Sequence, residues 1–487
     1  MLEKDATLGN VKHAVLLKVA ELAFKGELDE KEDQIPYEII PGPKAQFRCC
    51  IYREREIIRE RVRLAKGLEP GTGNPCKNTV QVIPAACEGC PITRFVVTDN
   101  CQKCMMKECQ QACNFGAISM LATRAHIDSD KCRECGKCHE ACPYNAIADL
   151  MRPCKRSCPV GAISQDLNGI VEIDEKKCIR CGACIADCPF GAISDNTHMV
   201  EVIDFIREGK RPVYAMVAPA VEGQFGSDVT MAKLRAGFKK LGFADMIEVS
   251  LGGDLVAASE AEEWAEAYRE GKKMTTSCCP AFVNMIKKHF PEVLDNMSTT
   301  VSPMASIARL IRSEHPDAVT VFFGPCIAKK SEVAKNKGKD NADFALTFEE
   351  FNAMIESQNI NLAELEEVGD VQQGSIYGKH FANAGGVTEA VIQSLKEKDE
   401  FTNIKVKQCN GAAECKKALM LLKVGKLPED FIEGMSCEGG CVNGPGSVRK
   451  ENLAKRDRAK LLGQADDREI YQNIDTYVKK EFSMHRK

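Results

Sequence analysis

The stretch Thr275-Thr-Ser-Cys-Cys-Pro-Ala-Phe282 places two cysteines side by side. Two further cysteine-bearing stretches follow it, Phe323-Gly-Pro-Cys-Ile-Ala-Lys-Lys-Ser-Glu332 and Glu433-Gly-Met-Ser-Cys-Glu-Gly-Gly-Cys-Val-Asn-Gly-Pro-Gly446. Thiolates are soft, anionic ligands for iron, and the glycines around Cys437 and Cys441 let the backbone come close to a bulky group. Adjacent side chains point to opposite sides of an extended segment and do not face one another on a helix. Cys278 is therefore poorly placed to bind the same centre as Cys279, and taken alone it reads as a small buried hydrophobe.

The chain holds 26 cysteines, and sixteen of them lie between 87 and 188. A tail of the form Cys-x3-Cys-(Pro/Asn)-x-(Gly/Asn)-Ala-Ile occurs four times, at Cys109/Cys113, Cys138/Cys142, Cys154/Cys158 and Cys184/Cys188. Two copies complete the run Cys-x2-Cys-x2-Cys-x3-Cys-Pro, beginning at Cys132 and Cys178, and a third, beginning at Cys101, is slightly stretched. These motifs resemble those of two-cluster bacterial ferredoxins, in which three thiolates wrap a 4Fe-4S cube and the fourth cysteine ligates the neighbouring one. The tail at Cys154/Cys158 has no head directly before it, but an unused pair, Cys87 and Cys90, lies upstream of the complete motifs. The spacing suggests one such fold inserted inside another. Exchange of fourth ligands then gives four sets: Cys101, Cys104, Cys109 and Cys142; Cys132, Cys135, Cys138 and Cys113; Cys178, Cys181, Cys184 and Cys158; Cys87, Cys90, Cys154 and Cys188. Sixteen cysteines fill four cubes with none left over, although spacing alone also admits a different exchange.

The three later motifs closely resemble the signature motifs of iron-only (FeFe) hydrogenases, in family order, over roughly residues 206 to 487. The resemblance implies an H-cluster, a 4Fe-4S cube joined through a cysteine sulfur to a two-iron subsite carrying CO, cyanide and an azadithiolate. Carried over by position, Cys279, Cys326, Cys437 and Cys441 hold the cube, with Cys441 bridging. Lys329 meets a cyanide, and Cys278 passes protons toward Ser298, Glu260 and Glu263. Ala218, Pro219, Ala220, Gly324, Phe381 and Met435 line the two-iron pocket. Glu260 and Glu263 are three apart and can share a helix face, but Glu262, Glu266 and Glu270 are close by, and a solvated acidic face reads equally well. The chain departs from the usual pattern at Gly324, where a methionine is common, and at Phe282, Met304 and Ala220. Loss of the methionine is expected to open space at the two-iron unit. The expected activity is interconversion of protons plus electrons with H2, using a ferredoxin or similar soluble electron carrier and hydrogenase maturation proteins. An H2 or redox sensor, and a non-catalytic hydrogenase-like iron-sulfur protein, are the rival readings; retention of both Cys278 and Lys329 argues against the latter, since neither is needed to hold a cube. Cys49, Cys50, Cys76, Cys409 and Cys415 take no assigned role.

These residues need elements to hold them. With 487 residues and 44% hydrophobic composition the chain can bury several cores. A formal charge of −4 gives no sign of a nucleic-acid or membrane-surface partner. The start lacks a basic region followed by an apolar core, and no run approaches ~20 apolar residues, so a cytoplasmic protein is expected, in which clustered cysteines are metal ligands rather than disulfides. Residues 1–85 read as mainly helical, with helices over Val11 to Lys25 behind an Asn10 cap and over Arg53 to Lys66. Residues 86–195 carry the nested ferredoxin-like folds. Strand-like runs alternate with helices over 206–449, the pattern of an α/β domain, and 450–487 reads as a charged helical segment. The expected class is thus multidomain α/β plus α+β, nested ferredoxin-like folds followed by a two-lobed α/β hydrogenase domain.

Overall fold

Short apolar runs bounded by turns become strands in the computed structural model, which describes residues 7–87, 90–91, 93–335, 340–369, 373–400 and 403–486. Eight strands of three residues belong to the cysteine-rich region: β1 Val80–Val82, β2 Phe95–Val97, β3 Ile118–Met120, β4 Ala125–Ile127, β5 Ile147–Asp149, β6 Ile163–Gln165, β7 Val171–Ile173 and β8 Ile193–Asp195. They pair antiparallel as β1 with β8, β2 with β5, β3 with β4 and β6 with β7. The β2–β5 and β3–β4 pairs therefore lie, along the chain, inside the span closed by β1 and β8.

Three of the four tail motifs share a local physical reason. Ala146 N donates to Cys142 Sγ at 3.4 Å, Ala162 N to Cys158 Sγ at 3.2 Å and Ala192 N to Cys188 Sγ at 3.3 Å. The tail alanine is small because its backbone must reach the sulfur, and all four tail alanines are buried. The residue before the second cysteine of each complete head, Lys103, Glu134 or Arg180, takes a positive φ of 45°, 51° or 61°, turning the loop back on itself.

Seven further strands build two parallel sheets. β9 Val213–Val217, β10 Asp245–Glu248, β12 Val319–Phe323 and β13 Phe344–Leu346 form one in the order β10-β9-β12-β13; β11 Met274–Thr275, β14 Val406–Asn410 and β15 Phe431–Met435 form the other in the order β11-β15-β14. Parallel strands buried on both faces read as near-continuous apolar runs, as in Val-Thr-Val-Phe-Phe, where every residue is buried.

The first helix spans Leu8–Lys25 and packs Val11, Val15 and Val19 into the same core as Phe323 and Phe351. Its cap is Thr7, whose side chain accepts from Asn10 N at 3.4 Å. The expected cap at Asn10 is thus corrected: Asn10 lies inside the first turn, and a hydroxyl three residues earlier satisfies its N–H. After two short helices, Leu28–Lys31 and Ile35–Ile39, a longer one covers Ile51–Ala65. The buried Lys330 ammonium ties the regions together, 2.6 Å from Asp195 Oδ2, 2.9 Å from Glu350 Oε2 and 2.8 Å from Asn196 O. The helix Ile470–Tyr477 packs on the helices Val249–Arg269 and Gly386–Glu397, and the helix Glu451–Leu462 packs beside the turn Cys441–Asn443, but the expected helical end stops there. Residues 484–486 instead pair antiparallel with 299–301 through main-chain hydrogen bonds of 2.8 Å, which satisfy backbone groups that a last helical turn would leave bare.

Candidate functional site

All four H-site cysteines stand where a strand gives way to a turn or helix. β11 leads through Thr276 and Ser277 to Cys278 and Cys279, and Cys279 caps the helix Pro280–His289. β12 ends at Gly324-Pro325-Cys326, immediately before the helix Ile327–Lys335. β15 ends just before Ser436 and Cys437, and Gly439 and Gly440, at φ 79° and 88°, swing the chain back so that Cys441 N donates to Ala382 O at 2.7 Å. Ligands outside the carboxyl ends of parallel strands follow the general rule for such sheets, and helix N-termini favour anions there.

A cavity of about 90 Å³ lies between these ends, lined by Cys278, Cys279, Cys326, Cys437, Cys441 and Lys329. Ala218, Pro219, Ala220, Met304, Phe381 and Met435 supply its apolar wall. Burial, reinforced by the neighbouring thiols, pushes Cys326 up to about 11 and holds Cys437 and Cys441 far above the ordinary thiol range. Sulfurs this crowded and desolvated ionise together only around a cationic centre. Among the described residues no three His, Cys, Asp or Glu converge on a point suited to a single metal ion; the cysteines surround a volume, which fits a multinuclear cluster.

Gly324 stands between cavity-lining residues, and a Cβ built there would sit 2.7 Å from both Cε1 and Cζ of Phe322 and 3.1 Å from Ala218 Cβ. The Phe322 ring fills the volume that loss of the methionine was expected to open. Phe282 is accommodated in a related way, its ring lying across Gly434, where a Cβ would come within 2.2 Å.

Lys329 Nζ donates to Glu332 Oε2 at 2.7 Å and to Cys278 O at 3.4 Å. Burial alone would raise Glu332, but Lys329, with a 2.7 Å hydrogen bond from Ser302 Oγ, holds it below the usual carboxylate range. Glu433, the first residue of the third motif, accepts from Gly385 N at 2.9 Å and Thr388 N at 3.1 Å, steadying the loop that carries Phe381.

Glu260 and Glu263 stand on the helix Val249–Arg269. Glu260 is fully buried, while Glu262, Glu266 and Glu270 are exposed. Glu260 Oε1 accepts from Ser277 N at 3.4 Å, and Oε2 is buried without a partner among the described residues. Burial, then the Glu263 carboxylate, pushes Glu260 up to about 8 against the pull of Ser298, Ser277 and Arg486. The Cys278 thiol is raised far above its ordinary value, first by burial and then by Glu260. Ser298 Oγ accepts from Thr300 N at 3.1 Å, and Glu263 accepts from Thr299 N at 3.2 Å.

The ferredoxin-type cysteines gather in four places. Cys101, Cys104, Cys109 and Cys142 surround one small cavity, and Cys113, Cys132, Cys135 and Cys138 surround another. Cys154 is raised to about 11 by burial, with Cys188, Cys90 and Cys87 adding to it. Cys184 is raised by burial and by Cys181, Cys178 and Cys158. Cys181 also lines the H-site cavity, a contact that cysteine spacing did not announce. Asn284 Nδ2 donates to Ile179 O at 3.2 Å and Lys288 Nζ to Cys178 O at 2.6 Å, docking the Cys178–Cys188 loop on the helix after Cys279.

Three comparisons bear on this arrangement. The family profile "Iron only hydrogenase large subunit, C-terminal domain" matches residues 211–445, and "4Fe-4S binding domain" matches 125–148. "Iron hydrogenase 1" of Clostridium pasteurianum is 30% identical over 398 residues, covering 70% of this chain and 69% of that protein. The chain belongs to the iron-only hydrogenase family. It combines that family's large-subunit domain with an N-terminal ferredoxin-like iron-sulfur region. The "Cytosolic Fe-S cluster assembly factor narfl" of Xenopus tropicalis is 23% identical over 301 residues, 51% of this chain and 62% of that protein. A solved variant of the FeFe-hydrogenase HydA1 from Chlamydomonas reinhardtii is 22% identical, with a TM-score of 0.49, over 58% of this chain and 94% of that one. No described helix is long and apolar enough to cross a membrane.

Proposed function

We propose that the chain is a hydrogenase that interconverts protons plus electrons with H2, in the cytoplasm, at an H-cluster held by Cys279, Cys326, Cys437 and Cys441. The H-cluster, once installed by maturation proteins, supplies the redox centre for H2 chemistry. The chain's own residues do the rest. Lys329, pinned by Glu332, offers a fixed cationic donor at the cavity wall. Cys278 stays protonated and can hand a proton inward or receive one from Glu260, whose elevated value near 8 suits exchange at neutral pH. Ser298 and Glu263 continue the route outward. Ala218, Pro219, Ala220, Phe381 and Met435 keep water from the cavity.

Electrons are proposed to travel through four 4Fe-4S cubes in nested ferredoxin-like folds, using the four cysteine sets above. The order runs outward from the set containing Cys181, through that containing Cys154, to the two inner sets. Lys155, next to Cys154, meets Glu134 at 3.2 Å between Cys132 and Cys135, which supports that sequence. Met105, Met106 and Leu121 are exposed beside the Cys101 set, an apolar face suited to a ferredoxin-type carrier. The two parallel sheets support a two-lobed hydrogenase domain.

The observation that carries the reading is the presence of Cys278 and Lys329 on the cavity, since neither is needed to hold a cube. The assembly-factor relative favours a second reading, a non-catalytic iron-sulfur protein. Anaerobic maturation followed by infrared detection of CO and CN bands and an H2 assay separates them. Bands with turnover support the hydrogenase, bands without turnover point to sensing, and absent bands remove the enzyme. Cys278→Ala should cut turnover about a hundredfold or more while every cube remains.

A further inference from the structure

The acid pair does not end at the helix that carries it. The antiparallel pairing of the chain's last residues with 299–301 bridges His485 to Thr300, and it runs through main-chain atoms: Val301 N donates to Met484 O and Arg486 N to Thr299 O, each at 2.8 Å. It brings His485 Nδ1 to 3.1 Å from Glu263 Oε1 and 2.9 Å from Thr299 Oγ1. The His485 side chain is 54% exposed and that of Glu263 only 15%. The next residue faces inward: Arg486 donates to Ser277 O at 2.8 Å and to Ser298 O at 3.5 Å. Two consecutive tail residues thus flank the route, an imidazole on the water side and a guanidinium on the inner side.

We propose that His485 is the solvent-exchanging end of the proton route, trading protons with Glu263 at Nδ1 and with water at Nε2. The inference rests on the hydrogenase reading and on the route through Cys278, Glu260 and Glu263. In the outward direction the Glu263 carboxyl gives its proton to Nδ1, the ring gives the proton on Nε2 to water, and no electron moves. An imidazole is the side chain whose ordinary proton affinity lets it do both near neutral pH. The charged and titratable groups around it are Glu263 and, behind it, Glu260 from the acid-bearing helix, Arg486 from its own segment, and Arg309, which donates to His485 O at 3.1 Å. Because the tail is held by main-chain hydrogen bonds, replacing the ring leaves its anchoring intact.

The test uses the full chain and His485→Gln, with Glu262→Gln as control, its exposed carboxylate being paired with Lys398 on the surface. In matured protein, His485→Gln should lower H2 turnover about tenfold in dilute buffer, less than the hundredfold or more of a group that moves the proton in the chemical step, because water partly replaces a donor at the surface. Added imidazole should restore it, and the KM for the electron donor should not move. A second readout needs no two-iron unit. In protein carrying only its cubes, the carboxylic-acid infrared band lost in Glu260→Gln should exchange in D2O about tenfold more slowly in His485→Gln than in wild type. Wild-type turnover and exchange in His485→Gln would overturn the proposal. So would a loss that imidazole does not repair with exchange unchanged, since that marks a merely structural tail. Absence of H2 turnover in matured wild type would instead overturn the hydrogenase reading, and the exchange measurement would still decide the role of His485.

Discussion

Gly182→Ala should loosen the joint between the iron-sulfur region and the H-site. Gly182 has φ 83°, and a Cβ there would lie 2.8 Å from Pro445 Cγ, 2.9 Å from Ile327 Cγ1 and 3.1 Å from Ile327 Cβ. Neither neighbour yields easily: a proline ring is rigid, and Ile327 is buried directly after Cys326. Two penalties add, about 1–2 kcal/mol for a left-handed non-glycine residue and about 1–3 kcal/mol for overpacking. The repeat supplies its own control. Gly136 holds the same motif position and also has φ 83°, but a Cβ there meets only Phe95 Cζ at an ordinary 3.6 Å. Gly136→Ala should therefore lose the backbone part alone. At about 2–4 °C per kcal/mol for a domain of this size, the steric part separates the two variants by about 2–12 °C in calorimetric midpoint. Bound clusters prevent a single unfolding free energy from being defined, so the comparison is between variants at equal iron content. Gly182→Ala should also weaken the magnetic coupling seen by electron paramagnetic resonance between the Cys181 cube and the H-site cube. Equal midpoints for the two variants, or unchanged coupling in Gly182→Ala, would refute the claim that Gly182 sets this contact.

Gly324→Met should lose CO and CN band intensity after maturation, because Phe322 already occupies the space; Phe322→Ala in the same chain should restore it, and full intensity in the single variant would refute the exchange of volumes. Glu260 pushed up to about 8 and Asp254 to about 7 by burial hold protons more tightly folded than unfolded, so their contribution to stability is complete below about pH 4 and is lost as pH rises through 7 to 8. Thermal midpoints between about pH 5 and pH 8 should show Glu260→Gln gaining on wild type by up to about 1.4 kcal/mol per pH unit, and a constant difference would mean that Glu260 does not bind its proton in the folded protein.

The cysteine sets were legible because their chemistry is local. Two to four residues separate successive cysteines within a motif, a positive-φ residue turns the heads that begin at Cys101, Cys132 and Cys178, and the alanine N–H of three tails reaches the sulfur four residues back, so spacing nearly determines geometry. Cys278 and Cys279 both line the cavity, and the division proposed between them rests on adjacent side chains pointing to different sides where the chain enters a helix. Periodicity could place Glu260 and Glu263 on one face but could not say that this face is buried; that depends on the Ser298–Val301 segment and on the tail laid across it. Phe322 escaped because a strand residue's alternation fixes its side of the sheet and not the direction its ring takes once a neighbouring side chain is reduced to glycine.

On the proposed proton route the outer end is harder to read from sequence than the inner end. Near the clusters each residue is constrained by a ligand, a close backbone approach or a desolvated charge, and those constraints leave motifs. At the surface the requirement is weaker: a group that titrates near neutrality, within hydrogen-bond reach of the last acid, on any segment that happens to pass. His485 meets it from a pairing that spans 185 residues between Thr300 and His485, a separation over which no short motif carries information. The inner and outer parts of the route can therefore change independently, with the thiol and its acid pair fixed by the site and the final donor supplied by whatever packs over the Glu263 carboxylate.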